Sequence, residues 1–381
     1  MSQLFRSWIE VSRSRIAANY LAVCNAVGPG VDVCPVVKAD AYRHGAVEVA
    51  RVLCRKGARW LAVSSAEEGV ALRRAGVGEP RILVMADFLP FERDSIAEHR
   101  LTPVLHSLED IAQLDRLAER KQASIHYHLK IDSGMGRLGT RATPEEILTA
   151  VRASPRVKLE GIMTHFASAA DYTRDQSDAQ TEYFDAVEGA LAAALPERPL
   201  AHMSSTIAVA YGRRASWKRL VRPGHAIYGY VSPVRVKAGE AAPPNLLDVK
   251  PALSWKAAIL AVKDVPAGTR IGYGAMFTAD RPMRIGILAA GYADGIPHRL
   301  SNKGRVIAAG QFTQILGAVS MDVTTIDLSH APHMAPGDAV TLLGEEGECS
   351  QDAQQMARMA GTISYSLLCG ISARVHRVYV D

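Results

Sequence analysis

Short apolar runs alternate with longer amphipathic segments through about the first 225 residues of the chain. The apolar runs lie near residues 33–37, 60–64, 81–86, 101–105, 125–131, 157–165, 200–204 and 219–222. The amphipathic segments, which predict helices, include residues 46–56, 66–75, 108–121, 144–153 and 177–195. Thr143, followed by Pro144 and two acidic residues, predicts where one of these helices begins. Eight strand–helix units in sequence predict a (β/α)8 barrel of the TIM type rather than an open doubly wound sheet.

The pattern changes after the eighth unit. Residues 232–247 are rich in proline, alanine and glycine and predict a linker. From Leu253 onward, short apolar runs separated by turn residues predict a mostly β domain, with one helix over residues 351–359 and a last strand over residues 373–379. We therefore expect a barrel domain over residues 1–240 and a mostly β domain over residues 241–381. The first residues of the chain could pair with this second domain.

Composition and charge narrow the class of protein. The chain is 48% hydrophobic and 22% charged, as is typical of globular domains. The net charge of +5 is spread without a long basic run, so no nucleic-acid partner is predicted. No segment offers about 18 uninterrupted apolar residues, so no membrane span is predicted. The five cysteines lack a CxxC pairing, which predicts free thiols in a reducing cytoplasm, and no metal site is predicted.

Lys38 has the most distinctive position of any residue in the chain. The apolar run 33–37 carries this lysine to the carboxyl end of the first predicted strand. Catalytic groups of a (β/α)8 barrel lie at that end of the strands. A lysine desolvated there has a lowered pKa and can attack a carbonyl to form a Schiff base. The alternative is a lysine at the barrel rim whose ammonium group stays in water.

Four further predicted strands carry polar residues to the same rim. Lys130 and Arg137 follow the fifth strand, His165 the sixth, Ser204 and Ser205 the seventh, and Arg222 the eighth. A single histidine such as His165 is more often a satisfied core residue. Five strand ends that direct polar groups to one rim favour a binding or catalytic site instead.

Motifs from Trp8 to Arg374 resemble those of the alanine racemase family, a fold-type-III pyridoxal-phosphate class. They are residues 36–45, which include Lys38, then 272–274 with Phe277 and Thr278, 290–297, 319–322 and 361–365. The resemblance implies an isomerase, most simply one that interconverts L-alanine and D-alanine. Pyridoxal phosphate makes the Cα–H bond of a bound amino acid acidic, and racemisation moves that proton from one face to the other. The family implies two opposed bases, Lys38 and Tyr273.

The resemblance also implies roles for other residues. The implied cofactor-binding residues are Lys38, Tyr42, Arg137, His165, Ser205, Arg222, Gly224, His225 and Tyr365. The implied substrate-binding residues are Arg137, Tyr292, Met321 and Asp322. Arg222 would face the pyridine nitrogen and be held by His165, and Lys130 matches a position that is carbamylated in many members. The family further implies a homodimer in which the second domain of one subunit completes the site of its partner.

Four places depart from the family pattern. Arg43 stands where glycine is usual, Ser204 stands where asparagine is usual, His225 replaces an aliphatic residue, and the pair Ala275-Met276 differs. These departures leave open a serine or broad-spectrum racemase. A decarboxylase of this fold is disfavoured because Tyr273 replaces its cysteine motif, and a non-catalytic pyridoxal-phosphate carrier would resemble the barrel alone. The D-alanine could serve cell-wall synthesis, or the reaction could serve L-alanine breakdown.

Overall fold

The computed structural model describes residues 5–86 and 88–381, and the chain divides into two compact units. The barrel unit comprises Arg15–Ala41 and Gly45–Lys250. The β unit comprises Met1–Ser14, Tyr42–His44 and Pro251–Asp381.

Helix α1 is a difference from the sequence prediction. It spans Arg13–Val27 and follows strand β1, which spans Ser7–Ser12. Ile16, Tyr20 and Val23 are buried on one face of α1, at the spacing of an amphipathic helix. Polar and apolar residues alternate along the preceding strand, and this alternation hides the helical period when β1 and α1 are taken as one segment.

The barrel unit contains eight parallel strands that close on themselves. They are β2 (Asp32–Val33), β3 (Trp60–Val63), β4 (Arg81–Val84), β5 (Thr102–Leu105), β6 (Ile125–Lys130), β7 (Val157–Met163), β8 (Leu200–His202) and β9 (Leu220–Val221). Strands β3 to β8 form one sheet in sequence order, and β2 pairs with β9. Bridges from Val36 to Ala62 and from Ser205 to Arg222 join these two sheets at both edges. The predicted (β/α)8 barrel is therefore confirmed, and the carboxyl ends of its strands meet at one rim.

Helices alternate with the barrel strands. They are α2 (Ala46–Arg55), α3 (Ala66–Arg74), α4 (Arg93–Glu98), α5 (Leu108–Lys121), α6 (Pro144–Arg152), α7 (Gln176–Ala194) and α8 (Thr206–Ala210). The five predicted helices are present, with each end within one residue of its predicted place. Thr143 caps α6 as predicted: its side chain accepts from the Glu146 N–H, and Glu146 accepts from the Thr143 N–H.

The β unit is mostly strand, as predicted. Its elements after the barrel are β10 (Leu253–Val265), β11 (Arg270–Ile271), β12 (Phe277–Thr278), β13 (Met283–Leu288), β14 (Arg305–Ala308), β15 (Gln311–Gln314), β16 (Thr324–Asp327), β17 (Ala339–Glu346), β18 (Cys349–Gln351), α9 (Ala353–Met359), α10 (Ser364–Gly370) and β19 (His376–Val380). Strand β1 lies between β10, antiparallel to it, and β19, parallel to it. Helix α9 begins two residues later than predicted because Gln351 belongs to β18 and Asp352 caps the helix. Helix α10 was not foreseen.

Two further observations concern the described residues. None of their helices is long and apolar enough to cross a membrane. All five cysteines are free thiols.

Candidate active site

Lys38 lies five residues beyond β2, just after the bridge from Val36 to Ala62, and begins an unusual turn. The Val37 N–H donates to the Ala62 carbonyl at 2.8 Å, which ties the chain before Lys38 to β3. The next five residues, 39–43, have φ angles between 52° and 68°. These angles form a left-handed turn, a conformation that residues other than glycine rarely adopt. The position of Lys38 at a strand end agrees with the sequence prediction, but the left-handed turn could not be foreseen.

Three cations share the surroundings of one buried lysine. Lys130, at the end of β6, is 4% exposed. Burial, together with the charges of Arg137, Arg222 and Lys38, lowers its pKa to about 8. We call Lys38, Lys130, Arg137 and Arg222 the cationic cluster. Such a set is suited to an anionic ligand, and pyridoxal phosphate, which carries a phosphate and a phenolic oxygen, fits this donor set.

His165 lies in the field of the same cluster. Burial and the charges of Arg222, Lys130, Arg137 and Lys38 lower its pKa to about 3. The imidazole is therefore neutral at physiological pH. A neutral ring adds no further positive charge to the cluster and keeps a nitrogen that can accept a hydrogen bond.

Arg222 is buried and donates to three acceptors. Its guanidinium reaches the carbonyls of Thr164, at 2.7 Å, and Met203, at 3.1 Å. It also lies 2.7 Å from His202 Nδ1. Burial lowers the pKa of Arg222 to about 10, so the side chain remains charged near neutral pH. The histidine that hydrogen-bonds Arg222 is thus His202 in β8 and not, as expected, His165.

A chain of hydrogen bonds continues behind Arg222. His202 Nε2 lies 2.7 Å from His128 Nδ1. His128 Nε2 lies 3.5 Å from Glu160 Oε2, a close contact that does not meet hydrogen-bond geometry. An arginine only donates and a carboxylate only accepts, so we assign both histidines as neutral with the proton on Nε2. Burial lowers the pKa of both rings, which agrees with this assignment. We call this path, from Arg222 to Glu160, the histidine chain.

Glu160 ends the histidine chain as an anion. Burial opposes its ionisation, but the contact with His128 and the hydrogen bonds from Arg81 outweigh burial and lower its pKa to about 2. Arg81 contacts both carboxylate oxygens at 2.6 Å. Sequence reasoning did not identify His128, His202 or Glu160. The signal for the two histidines was their spacing, since His128 and His202 each stand two residues before a predicted site residue, Lys130 and Ser204.

Hydroxyl and backbone groups form a second feature of the barrel rim. The backbone of Ser205 forms a parallel β-bridge with that of Arg222. The Thr206 hydroxyl accepts from the Gly224 and Ala226 N–H groups, each at 3.2 Å. This brings the predicted phosphate residues Ser205, Gly224 and His225 onto two joined segments. Thr206 was missed, although three consecutive hydroxyl residues follow β8.

Ser204 does not share this arrangement. Its hydroxyl is fully buried and contacts the carbonyl and the hydroxyl of Ser216, each at 2.8 Å. The departure from asparagine at this position therefore affects internal packing.

Arg137 lies on a loop that Asp132 organises. One oxygen of Asp132 accepts from three consecutive N–H groups, of Gly134, Met135 and Gly136, at 2.9–3.2 Å. Gly139 has a φ of 115°, and a Cβ there would lie 2.9 Å from the Asp132 nitrogen. The loop thus needs both its acid and its glycine, and it leaves Arg137 exposed to receive an anion.

The β unit brings together two predicted phosphate contacts. The rings of Tyr42 and Tyr365 lie 6.0 Å apart. Burial raises the pKa of both phenols, so each keeps its proton and can donate a hydrogen bond. Next to them, Arg43 Nε donates to the Cys369 carbonyl at 3.2 Å. Arg43, which stands where glycine is usual in the family motif, therefore donates to a backbone acceptor.

The β unit joins the loops that carry Tyr292 and Met321, and the loop of Tyr273 lies beside them, since a Cβ on Gly272 would lie 3.3 Å from the Ala318 nitrogen. The Tyr292 N–H donates to the Ser320 carbonyl at 2.9 Å, and the Ala293 N–H donates to the Met321 carbonyl at 3.0 Å. A Cβ on Gly291 would lie 2.3 Å from the Ser320 oxygen, so only glycine permits this approach. The side chains of Tyr273, Tyr292 and Met321 are 76%, 45% and 53% exposed. We call these three side chains the Tyr273 surface.

Asp322 is held beside this surface by an ion pair. Arg374 Nη2 lies 2.7 Å from Asp322 Oδ1, and Arg374 Nε lies 2.8 Å from Asp294 Oδ1. Asp294 in turn accepts from the Gly291 N–H at 2.8 Å. Arg374 thus fastens the two loops together, and the predicted substrate contact of Asp322 stays a prediction.

Comparisons with known proteins identify the family. The chain matches the family model "Alanine racemase, N-terminal domain" over residues 11–233 and "Alanine racemase, C-terminal domain" over residues 252–379. The alanine racemase of Halothermothrix orenii is 38% identical over 376 residues, which cover 98% of this chain and 96% of that protein.

Solved structures are similar over the same length. The alanine racemase from D-cycloserine-producing Streptomyces lavendulae has a TM-score of 0.90 at 29% identity, covering 100% of this chain and 98% of that one. The alanine racemase from Bartonella henselae, solved with covalently bound pyridoxal phosphate, has a TM-score of 0.85 at 26% identity, covering 99% of this chain and 100% of that one.

Proposed function

This chain belongs to the alanine racemase family, and we propose that it is a pyridoxal-phosphate-dependent isomerase that interconverts L-alanine and D-alanine. The observation that carries the proposal is the cationic cluster, in which Lys38 at a strand end shares its surroundings with Lys130 and the buried Arg222. When bound, the cofactor acts as an electron sink that makes the Cα–H bond of the amino acid acidic.

The barrel unit supplies most of the groups proposed to hold the cofactor, and the β unit supplies two. Lys38 would hold its aldehyde carbon, and Ser205, with the backbone near Gly224 and His225, would hold its phosphate together with Tyr42 and Tyr365. Arg222 would face the ring nitrogen. The histidine chain accepts a hydrogen bond from Arg222, whose guanidinium stays charged. A positive charge beside the ring nitrogen would disfavour a proton on that nitrogen. His165 would stand beside Arg222 as a neutral ring.

Two residues move the proton. Lys38 Nζ removes or returns it on one face of the substrate Cα, and Tyr273 Oη does so on the other. Arg137, with Tyr292, Met321 and Asp322, would bind the substrate. The exposed Arg137 offers a planar pair of N–H donors that suits a carboxylate or the phenolic oxygen of the cofactor.

Lys130 is proposed to be carbamylated. A lysine whose pKa is about 8 has an appreciable neutral fraction at neutral pH. The neutral amine adds to carbon dioxide, and one proton is released as the carbamate anion forms. That anion would offset the charges of the neighbouring Arg137 and Arg222. Intact-protein mass spectrometry under native conditions, with Lys130→Met as the control, tests for the added mass of carbon dioxide.

We propose a homodimer in which the Tyr273 surface of one subunit faces the partner subunit's Lys38. Support comes from the exposure of Tyr273, Tyr292 and Met321, since exposed apolar and aromatic side chains grouped on joined loops are typical of interfaces. The β unit with Tyr273 also disfavours a carrier protein, which would need the barrel alone. The free thiols suit a cytoplasmic location, where D-alanine would be available for cell-wall synthesis.

The decisive experiment is a chiral assay in deuterium oxide. Purified protein with pyridoxal phosphate is incubated with L-alanine, L-serine and a panel of other L-amino acids. Inversion of alanine with uptake of solvent deuterium at Cα supports the proposal. Faster inversion of serine or of many amino acids would replace it with the broader racemase, and binding of cofactor without any exchange would support a carrier.

A further inference from the structure

The turn after Lys38 needs contacts that hold it. Residues 39–43 all have positive φ angles, and none of them is glycine. A residue other than glycine favours a negative φ angle, so local preference alone would not maintain a run of five positive φ angles. Because Lys38 immediately precedes the run, the direction of the turn sets the direction of the Lys38 backbone.

Glu68 contacts this turn with one oxygen and the neighbouring strand with the other. Its Oε1 accepts from the Ala39 N–H at 2.6 Å, and its Oε2 accepts from the Ser64 N–H at 2.7 Å. Ser64 directly follows β3, and Lys38 comes two residues after Val36, which is joined to Ala62 of β3 by a bridge. One carboxylate therefore links the ends of two adjacent barrel strands.

The position of Glu68 in its own helix suits this role. It lies in the first turn of α3, where its N–H donates to the Ser65 cap. A carboxylate is stabilised at that end of a helix by the helix dipole. Hydrogen bonds from N–H groups to an ionised carboxylate are among the stronger ones in proteins, so two of them can offset part of the strain in the turn.

A second contact closes the other side of the turn. The Ala46 N–H, at the start of α2, donates to Asp40 Oδ1 at 2.8 Å, and the Gly45 N–H donates to the Asp40 carbonyl at 3.0 Å. These bonds fasten the turn to the helix that follows it. Glu68 is the contact that fastens the turn to the barrel strand beside it.

We propose that Glu68 is a positioning residue for Lys38: its two hydrogen bonds hold the left-handed turn and thereby place the lysine for attachment to the cofactor. This inference rests on the proposed function, because it assigns Lys38 as the attachment point. This role gives Glu68 no contact with the substrate and no part in the proton transfers. Its loss acts through the backbone of Lys38 and not through the chemistry itself.

The test uses Glu68→Gln and a matched control, Glu67→Gln. A glutamine can accept only one of the two N–H groups and turns its own donors toward the other. Glu67 is the preceding residue of the same helix and is exposed. Three quantities are measured for both variants and the wild type: the melting temperature, amide hydrogen exchange of peptides covering residues 36–45 without cofactor, and borohydride trapping of pyridoxal phosphate on Lys38 as a function of cofactor concentration.

We expect Glu68→Gln to raise both the exchange rate of the Ala39 amide and the cofactor concentration for half-maximal trapping by about tenfold, the effect of losing one charged hydrogen bond. Glu67→Gln should match the wild type in both. Unchanged trapping with faster exchange would overturn the proposal and leave Glu68 as a structural support of the turn with no effect on Lys38. If Glu68→Gln does not fold, Glu68→Asp, whose shorter side chain cannot reach both N–H groups, gives the same two outcomes.

The experiment also separates this inference from the proposed function. If wild-type protein traps no cofactor on Lys38, the proposed function fails at that step. Exchange of the peptides covering residues 36–45 then still reports whether Glu68 holds the turn. If the wild type traps cofactor normally and Glu68→Gln does so equally well, only the positioning role fails.

Discussion

In the barrel unit Lys130 and Arg222 are buried in one electrostatic environment, whereas in the β unit Tyr273, Tyr292 and Met321 lie on the surface. Lys130 and Arg222 have pKa values lowered by burial, and His165 is held neutral by the same burial and by nearby cations. Tyr273 is 76% exposed. The barrel unit thus carries an organised electrostatic site, while the β unit presents a surface whose proposed use requires a second subunit. Five predictions break or sharpen this contrast.

The largest effect should come from Lys38→Ala, which removes both the cofactor attachment and one base. We expect the racemase rate to fall by about three orders of magnitude or more. Borohydride reduction of the wild type with pyridoxal phosphate, followed by peptide mapping, should place the label on Lys38. Lys158→Ala, which removes an exposed lysine paired with Glu197, serves as the control and should leave both readouts unchanged. Labelling at another lysine would contradict the assignment.

Tyr273→Phe should remove one base and spare the other. We expect racemisation to fall by about two to four orders of magnitude, while cofactor binding is retained. In the family geometry Lys38 faces the Cα–H of D-alanine, so exchange of that hydrogen with deuterium oxide should persist and exchange from L-alanine should collapse. Equal loss from both antipodes, with cofactor bound, would argue against bases that each serve one face.

Mixing the two inactive variants tests whether the surface of one subunit completes the site of its partner. Random exchange of Lys38→Ala and Tyr273→Phe subunits should restore about a quarter of wild-type activity, because half of the dimers carry one native site of two. Mixed dimers identified by mass spectrometry but without activity would mean that each site is built within one chain.

Glu160→Gln should act on stability through the buried end of the histidine chain. Breaking its pairing with Arg81 and His128 should cost about 2–3 kcal/mol of unfolding free energy at pH 7. The folded-state pKa of about 2 lies below the ordinary value of 4.5, so this contribution is present above pH 4.5 and is lost as the pH falls toward 2.

The measurement is chemical denaturation of the wild type and the variant at several pH values. Their difference in unfolding free energy should be largest between pH 5 and 7 and shrink below pH 4.5. Glu119→Gln, which removes an exposed acid paired with Arg156, should change stability by less than about 1 kcal/mol. A difference that grows on acidification would mean that Glu160 is not ionised in the folded protein.

The smallest effect concerns Arg43, which occupies a glycine position of the motif. Its φ is 68°, and its side chain donates to the Cys369 carbonyl. Arg43→Gly loses that bond but relieves the backbone, so its net effect should stay within about 1 kcal/mol. Arg43→Ala loses the bond and keeps the strain, so it should be the less stable of the two in thermal melts. An alanine variant as stable as the glycine variant would show that the turn is not strained there.

Much of the fold could be predicted because its signals are local. The helix over residues 108–121 follows from a 3.6-residue period with Ser107 as its cap, and both features lie within one segment of sequence. The eight strand–helix units imply a barrel because strands of this kind have few ways to bury both faces. Lys38 was recognisable for the same reason, since a lysine at the end of an apolar run is visible without any other part of the chain.

The tertiary structure decided the features that depend on distant partners. The sequence suggested His165 as the partner of Arg222, but barrel closure sets His202 of the adjacent strand against the guanidinium instead. The residues after Lys38 do not predict a left-handed turn, because each of them favours a negative φ angle by itself. The observed contacts of the turn include Glu68, about 30 residues further along the chain. Local periodicity determined which elements form and where their chemistry begins, and only packing between remote elements determined which side chains meet and how each is charged.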